Sequence, residues 1–321
     1  MKNICIIGAG NIGSRHLQGL KNVTIPLNIE VVDPSVESLN ISRQRYDQIS
    51  TSTNHKVSFL QNINKISKNI DLAIIATNSN VRRNITENLL STSSVKYLIL
   101  EKILFQKRED YLEIEKLLKK KGCKTWVNFS MRTMPFYYDL KHQLNEKIHM
   151  IVSGSQYGLI TNTIHYIDYI AFLTNCYDFT VETKGLDNSL IESKRSGFLE
   201  LNGSLNVFFK DGSMGTFTCY PNGDTPYIIE VLSKTYRCIS KESERKAYIS
   251  SAKSKWNWEE TDTDIPHQSD MSNLVAEEIL KTGKSILTPY DQASKLHLQL
   301  LESLLKFISS AKKKYDIYPF T

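Results

Sequence analysis

Four short, mainly apolar runs punctuate the first hundred residues: Ile4–Ile7, Ile29–Val32, Leu72–Ala76 and Tyr97–Leu100. They lack strict alternation, so they read as strands buried on both faces, as in a parallel sheet. Between and after them, Ile12–Leu20, Val36–Asp47, Val81–Leu90 and Tyr111–Lys120 carry apolar residues at helical spacing. Strands alternating with helices predict a doubly wound sheet with right-handed crossovers. A further short strand, Thr125–Phe129, ends this half.

Beyond residue 130 the texture changes. His149–Gln156, Gly197–Phe209, Met214–Tyr220, Tyr227–Ser233 and Thr235–Ser240 are rich in strand formers, and Asp211-Gly212 predicts a hairpin turn between two of them. One helix is expected at Thr161–Leu173 and two more near the C-terminus, Ser269–Thr282 and Tyr290–Lys312, the last preceded by Leu287-Thr288-Pro289. A chain of 321 residues exceeds one ordinary core. The pattern therefore predicts two domains: an α/β doubly wound parallel sheet over residues 1–127, then an α+β domain over 128–321 with a large, mostly antiparallel open sheet.

Composition adds exclusions. Hydrophobic residues make up 40% and charged residues 23%, as in soluble globular enzymes. The net charge of +6 is mild, and the runs Lys119–Lys121 and Lys312–Lys314 read as solvated helix ends, so no nucleic-acid partner is expected. Such a charge still favours a small anionic ligand. The five cysteines are scattered without a CxxC pair, which argues against a zinc cage or a disulfide framework and for a reducing compartment. Met1 leads straight into a strand pattern, and no apolar run approaches the ~20 residues of a membrane span. A cytoplasmic protein without membrane contact is the expectation.

Chemistry enters at Gly8-Ala9-Gly10-Asn11-Ile12-Gly13, a G-x-G-x-x-G run between a strand and a helix. The first glycine permits a tight turn, the second lets a diphosphate approach the backbone, and the third lets helix and strand pack closely. The N–H groups at the helix start, on Asn11 and Ile12, face the phosphates. Asp33, 20 residues after Gly13 at a strand end, can accept hydrogen bonds from ribose hydroxyls. A carboxylate there repels a 2′-phosphate, so NAD(H) is expected over NADP(H). Thr77 and Asn78 follow another strand, where doubly wound sheets bind ligands.

Taken in order, these features resemble the glucose–fructose oxidoreductase/inositol dehydrogenase/MocA family, whose first domain is a Rossmann fold. Gly8 to His16 is similar to its fingerprint, Ile74-Ile75-Ala76-Thr77 to its strand end, and Glu101-Lys102 to its Glu-Lys-Pro motif. Met131-Arg132-Thr133-Met134-Pro135 is similar to its Arg-x-x-Pro segment, and His165-Tyr166-Ile167-Asp168 to its His-x-x-Asp. The resemblance runs from residue 1 to about 175. It implies an oxidoreductase in which Lys102 and His165 bracket the reacting carbon. His165 would take the alcohol proton, and Lys102 would orient the hydroxyl and steady charge on its oxygen. Glu101 would sit near the nicotinamide ribose. Asp168 would fix the imidazole or contact a sugar hydroxyl, and Arg132 would meet a substrate acid or cap a domain interface. His16 reads as structural.

Three departures stand out. Ile103 replaces the motif's proline, Thr161 stands four residues before His165 where many members carry an aspartate, and Ser130 replaces an asparagine. Asn162, polar and adjacent to Thr161, is a further candidate for substrate binding. By resemblance the substrate is a sugar or nucleotide-activated sugar, as in bacterial surface-polysaccharide synthesis. Alternatives are an enzyme that retains NAD and uses transient oxidation for epimerisation, elimination or glycoside cleavage, and a silent NAD- and sugar-sensing regulator. Homo-oligomers, dimers or tetramers, are expected from an open sheet with apolar strands such as Leu205–Phe208 and Tyr227–Val231.

Overall fold

The computed structural model describes residues 1–50, 53–144, 146–310 and 315–321. The Lys312–Lys314 run and the last residues of the expected C-terminal helix lie outside them. In chain order the elements are β1 (Lys2–Ile7), α1 (Asn11–Leu20), β2 (Leu27–Val32), α2 (Val36–Asp47), β3 (Lys56–Leu60), β4 (Asn69–Ile75), α3 (Ser79–Thr92), β5 (Ser94–Leu100), α4 (Arg108–Lys121) and β6 (Lys124–Val127). There follow α5 (Pro135–Gln143), β7 (His149–Ser155), α6 (Leu159–Thr174), β8 (Phe179–Leu186), β9 (Ile191–Glu192), β10 (Leu199–Glu200), β11 (Gly203–Phe209) and β12 (Met214–Tyr220). The last are β13 (Ile228–Leu232), β14 (Tyr236–Lys241), β15 (Lys246–Ser251), β16 (Glu259–Asp262), α7 (Gln268–Thr282), β17 (Thr288–Pro289) and α8 (Tyr290–Ser310).

Apolar strands at the chain start pair in parallel in the order β6-β5-β4-β1-β2-β3, and β17 adds antiparallel to β6. This is the Rossmann sheet that the alternation of strands and helices predicts. β3 escapes the apolar-run criterion because it is an edge strand: Lys56 and Ser58 are exposed, and only Val57, Phe59 and Leu60 turn partly inward. Where the sequence reading divides the chain once, at 127/128, its contacts form two compact units, residues 1–130 with 266–291, and 131–265 with 292–321. The return of α7 to the first unit has a local cause. A Cβ on Gly19 of α1 would lie 2.7 Å from the Ser269 carbonyl oxygen, so the missing side chain lets the two helices touch. Val275, Ala276 and Ile279 of α7 then share a core with Leu17, Leu20 and Ile29.

The second unit centres on an eight-stranded sheet, β16-β15-β14-β13-β7-β12-β11-β8, antiparallel except where β7 meets β12. Met150, Val152, Leu205, Val207, Phe217, Ile229 and Val231 are buried on one face, with Tyr166 of α6 against Phe217 at 5.4 Å between rings. Period-two alternation thus turns Leu205, Val207, Ile229 and Val231, from the strands expected to be apolar enough for a second copy to cover, into the core. Phe208 and Tyr220, 41% and 51% exposed, remain on the other side. The expected strand Gly197–Phe209 breaks at Leu201-Asn202, because Leu199–Glu200 pairs with β9 in a separate ribbon. No helix among the described residues is long and apolar enough to cross a membrane.

Candidate active site

The glycine loop joins β1 to α1. Gly8 adopts φ of +96°. A Cβ at Gly13 would fall 1.7 Å from the Gly8 carbonyl oxygen, so only glycine allows this helix to start so close to the strand. At Gly10 the space a Cβ would fill is open, with no heavy atom within 4 Å. No side chain caps α1, and its first internal bond runs from Ser14 N–H to the Gly10 carbonyl at 2.9 Å. The N–H groups of Asn11, Ile12 and Gly13 therefore have no acceptor within the helix and carry its positive dipole end. Arg45 of α2, not singled out by sequence, adds a cation: its guanidinium donates to Ser14 Oγ at 2.6 Å and Asn11 Oδ1 at 3.2 Å.

Asp33 at the end of β2 accepts from Ala9 N–H at 2.7 Å and Ser35 N–H at 2.8 Å. It ties the glycine loop to the next turn and, half-exposed, keeps lone pairs for a ligand. Across β1, Thr77, two residues beyond β4, has a buried hydroxyl without a hydrogen-bond partner among the described residues, and exposed Asn78 caps α3 through its backbone alone. An open cradle, N–H groups at a helix start and an orphaned hydroxyl are what a dinucleotide's diphosphate and ribose require. The residues present fit NAD(H).

Glu101 and Lys102 follow β5. Lys102 is the one residue of 101–105 that is not buried, and its peptide bond to Ile103 is cis. Beneath it, buried Arg82 donates to the carbonyls of Thr77, Ile103 and, at 2.9 Å, Leu104. This guanidinium bolts the Thr77 and Lys102 loops together, while Arg83 is held by Glu87, Asp110 and Glu113. Glu101 is buried against His16 and Asn128, at 2.9 and 2.6 Å. Burial alone would raise its carboxyl, but the hydrogen bonds from His16 and Asn128 and the charges of His16 and Lys102 hold it below the ordinary glutamate value.

In the second unit, α6 is buried along nearly its whole length; of its residues only Thr161, Asn162, His165 and Thr174 are not. The first three lie at helical spacing and form one polar stripe on an apolar helix. Its N-terminus is capped from a distance: Glu200 of β10, buried, accepts from Ile160 N–H at 2.7 Å and from Thr161 N–H and Oγ1 at 3.2 and 2.8 Å. Thr161, at the position of the resembled family's aspartate, thus has a carboxylate beside it. Asn162 donates to the Tyr157 and Gly158 carbonyls at 2.6 and 3.0 Å. Arg132 and Asp168, expected to meet substrate, are buried on each other through two 2.8 Å contacts, with the guanidinium 4.8 Å from the Phe172 ring. That pair clamps α6 to the segment before α5, and its charged groups are taken up by one another.

A profile described as "Oxidoreductase family, NAD-binding Rossmann fold" (GFO_IDH_MocA) matches residues 2–129. No curated protein matches the chain. Among solved structures, UDP-N-acetylglucosamine 3-dehydrogenase GnnA from Acidithiobacillus ferrooxidans is similar with a TM-score of 0.72 and 10% identity, over 94% of this chain and 95% of that one. An oxidoreductase from Agrobacterium radiobacter in complex with NAD+, L-tartaric acid and magnesium gives 0.73 and 13%, over 97% of each chain. The super-repressor mutant of Gal80p from Saccharomyces cerevisiae gives 0.71 and 14%, over 96% of each. At these identities the likeness is one of fold.

Proposed function

With residues 2–129 belonging as an NAD-binding Rossmann domain to the Gfo/Idh/MocA oxidoreductase family, we propose that the chain interconverts a secondary alcohol and a ketone on a sugar or nucleotide-activated sugar, with NAD(H) preferred. The observation that carries the reading is the open space over Gly10 together with an accessible lysine beside a buried acidic strand end. Bound NAD+ supplies the hydride acceptor. His165 would take the hydroxyl proton, and the Lys102 ammonium would donate to the reacting oxygen. Thr161 and Asn162 present hydroxyl and amide groups to sugar hydroxyls from the same helix. The name of the GnnA structure makes UDP-N-acetylglucosamine the first substrate to try. The mixed outer face of the eight-stranded sheet, with Phe208 and Tyr220, is where a second copy would pack, and sedimentation as a monomer alone would remove that assignment.

The test is formation of NADH from NAD+ and a panel of nucleotide sugars. Lys102→Ala and His165→Ala should each lower turnover ~100-fold or more with NAD+ binding nearly intact. Unchanged turnover in both would remove the two residues from the chemistry. Likeness to Gal80p, with Thr161 and Ile103 in place of the expected aspartate and proline, favours a second reading as a ligand sensor. That protein would bind NAD+ and sugar and exchange no hydride, even with isotopically labelled substrate.

A further inference from the structure

His16 sits in the middle of α1, 2% exposed, and the proposed chemistry gives it no task. Its ring closes a circuit of five side chains from four parts of the first unit. Nε2 meets Glu101 Oε1 at 2.9 Å, and Asn128 Nδ2 donates to the same oxygen at 2.6 Å. Asn128 Nδ2 also donates to Gln268 Oε1 at 2.9 Å, Gln268 Nε2 donates to Ser272 Oγ at 3.0 Å, and that hydroxyl lies 2.9 Å from His16 Nδ1. An ionised carboxylate only accepts, so the Nε2 atom of His16 is the donor.

The circuit is one-sided. Both donors converge on Oε1, while Oε2 of this 7% exposed carboxylate makes no hydrogen bond with any described residue. The sheet order shows on which side of the glycine loop Glu101 lies. β1 and its glycine loop lie between β2, which Asp33 follows, and β4 and β5, after which come Thr77 and Glu101. A dinucleotide whose diphosphate rests on the loop must send its halves to opposite sides, the adenosine toward Asp33 and the nicotinamide ribose toward Glu101. We propose that His16, with Asn128, is a positioning residue for the cofactor: it fixes the Glu101 carboxylate so that Oε2 is presented to the hydroxyls of the nicotinamide half. The assignment rests on the NAD(H) reading and concerns only how that half is held.

Two near-isosteres separate this from plain packing. His16→Gln places an amide donor where Nε2 was and keeps the bond to Glu101; His16→Asn keeps a polar group toward Ser272 and loses the donor to Glu101. Affinities for NAD+ and for ADP, which lacks the nicotinamide half, are read by titration calorimetry. Loss of one charge-assisted contact predicts NAD+ binding about 10-fold weaker in His16→Asn, within about threefold of wild type in His16→Gln, and unchanged ADP binding in both. Asn128→Ala removes the other donor and carries the same expectation as His16→Asn should that variant not fold. Wild-type NAD+ affinity in the loss-of-donor variants, or parallel loss of NAD+ and ADP in His16→Asn and His16→Gln, overturns the assignment. A wild-type protein that binds neither NAD+ nor NADH overturns the cofactor reading itself.

Discussion

Adding one methyl group at Gly10 and, separately, at Gly13 divides two duties of the glycine loop. At Gly13 the new Cβ would stand 1.7 Å from the Gly8 carbonyl oxygen, where contacts under 3.0 Å are essentially never found, so α1 and β1 must part by more than an ångström. The obstacle is backbone on both sides and no rotamer relieves it. The upper end of the overpacking range applies, about 3 kcal/mol, or a melting point lower by roughly 6–12 °C. At Gly10 φ and ψ are −66° and −163°, open to any residue, and the new Cβ meets nothing within 4 Å. The poorer N-cap and the stiffer unfolded chain nearly cancel, leaving the melting point within about 2–3 °C. The methyl group nonetheless occupies the space over the free N–H groups. Displacing a diphosphate from them should weaken NAD+ by roughly 100-fold, one or two charge-assisted hydrogen bonds. Circular dichroism melts and calorimetric titration read the two quantities. Gly10→Ala with wild-type affinity, or destabilised as much as Gly13→Ala, would refute the cradle.

Asp33→Ala should relax discrimination against NADP(H) and also loosen the loop that Ala9 N–H anchors; an unaltered ratio of NAD+ to NADP+ affinity removes Asp33 from the ribose. Asp168→Asn leaves the Arg132 charge buried without its anion, and should cost about 3–5 kcal/mol in urea unfolding; a loss below about 1 kcal/mol would show that the clamp is slack. Glu101, held below the ordinary glutamate value, stabilises the fold above that value, and the contribution disappears as the pH falls through the depressed one. Stability in mild acid should therefore decline less steeply in Glu101→Gln than in wild type, and equal slopes would contradict this. Glu200→Gln should lower stability by about 1–2 kcal/mol through the weakened cap of α6, with amide exchange faster at Ile160 and Thr161; unchanged exchange there sinks the capping role.

The first unit was legible where burial on both faces produces unbroken apolar runs. β1, β2, β4 and β5 are central strands, and their sequences show it. Besides the two-residue β9 and β17, the strands left out of the sequence reading are edges or near-edges: β3, β8, β15 and β16, where charged residues such as Lys56, Glu182, Lys184, Glu259 and Glu260 interrupt the pattern. Edge strands carry such charges because they must not pair with another chain, so the feature that protects them also hides them from an apolar-run criterion. The discontinuous first unit was hidden for another reason. α7 reads as an ordinary amphipathic helix, and only the Gly19 contact decides which core it joins.

Site residues divide along the same physical line. Gly8, Gly10, Gly13 and Asp33 could be proposed from sequence because backbone geometry dictates their spacing, and Lys102 because it follows a strand. Glu200, Asn128, Gln268 and Ser272 have no local signature at all: Glu200 reaches Thr161 across 39 positions, Asn128 reaches Gln268 across 140, and His16 reaches Ser272 across 256. Arg132 and Asp168 were found as motif members, yet nothing in either motif says that the two charges meet each other, 36 positions apart. A buried carboxylate must find donors, and a buried guanidinium an anion, wherever the fold brings them. Sequence can therefore name the group that needs a partner well before it can name the partner. For Glu101 the need is filled on one oxygen by His16 and Asn128, and this asymmetry, visible only in three dimensions, is what turns a motif glutamate into an aimed acceptor.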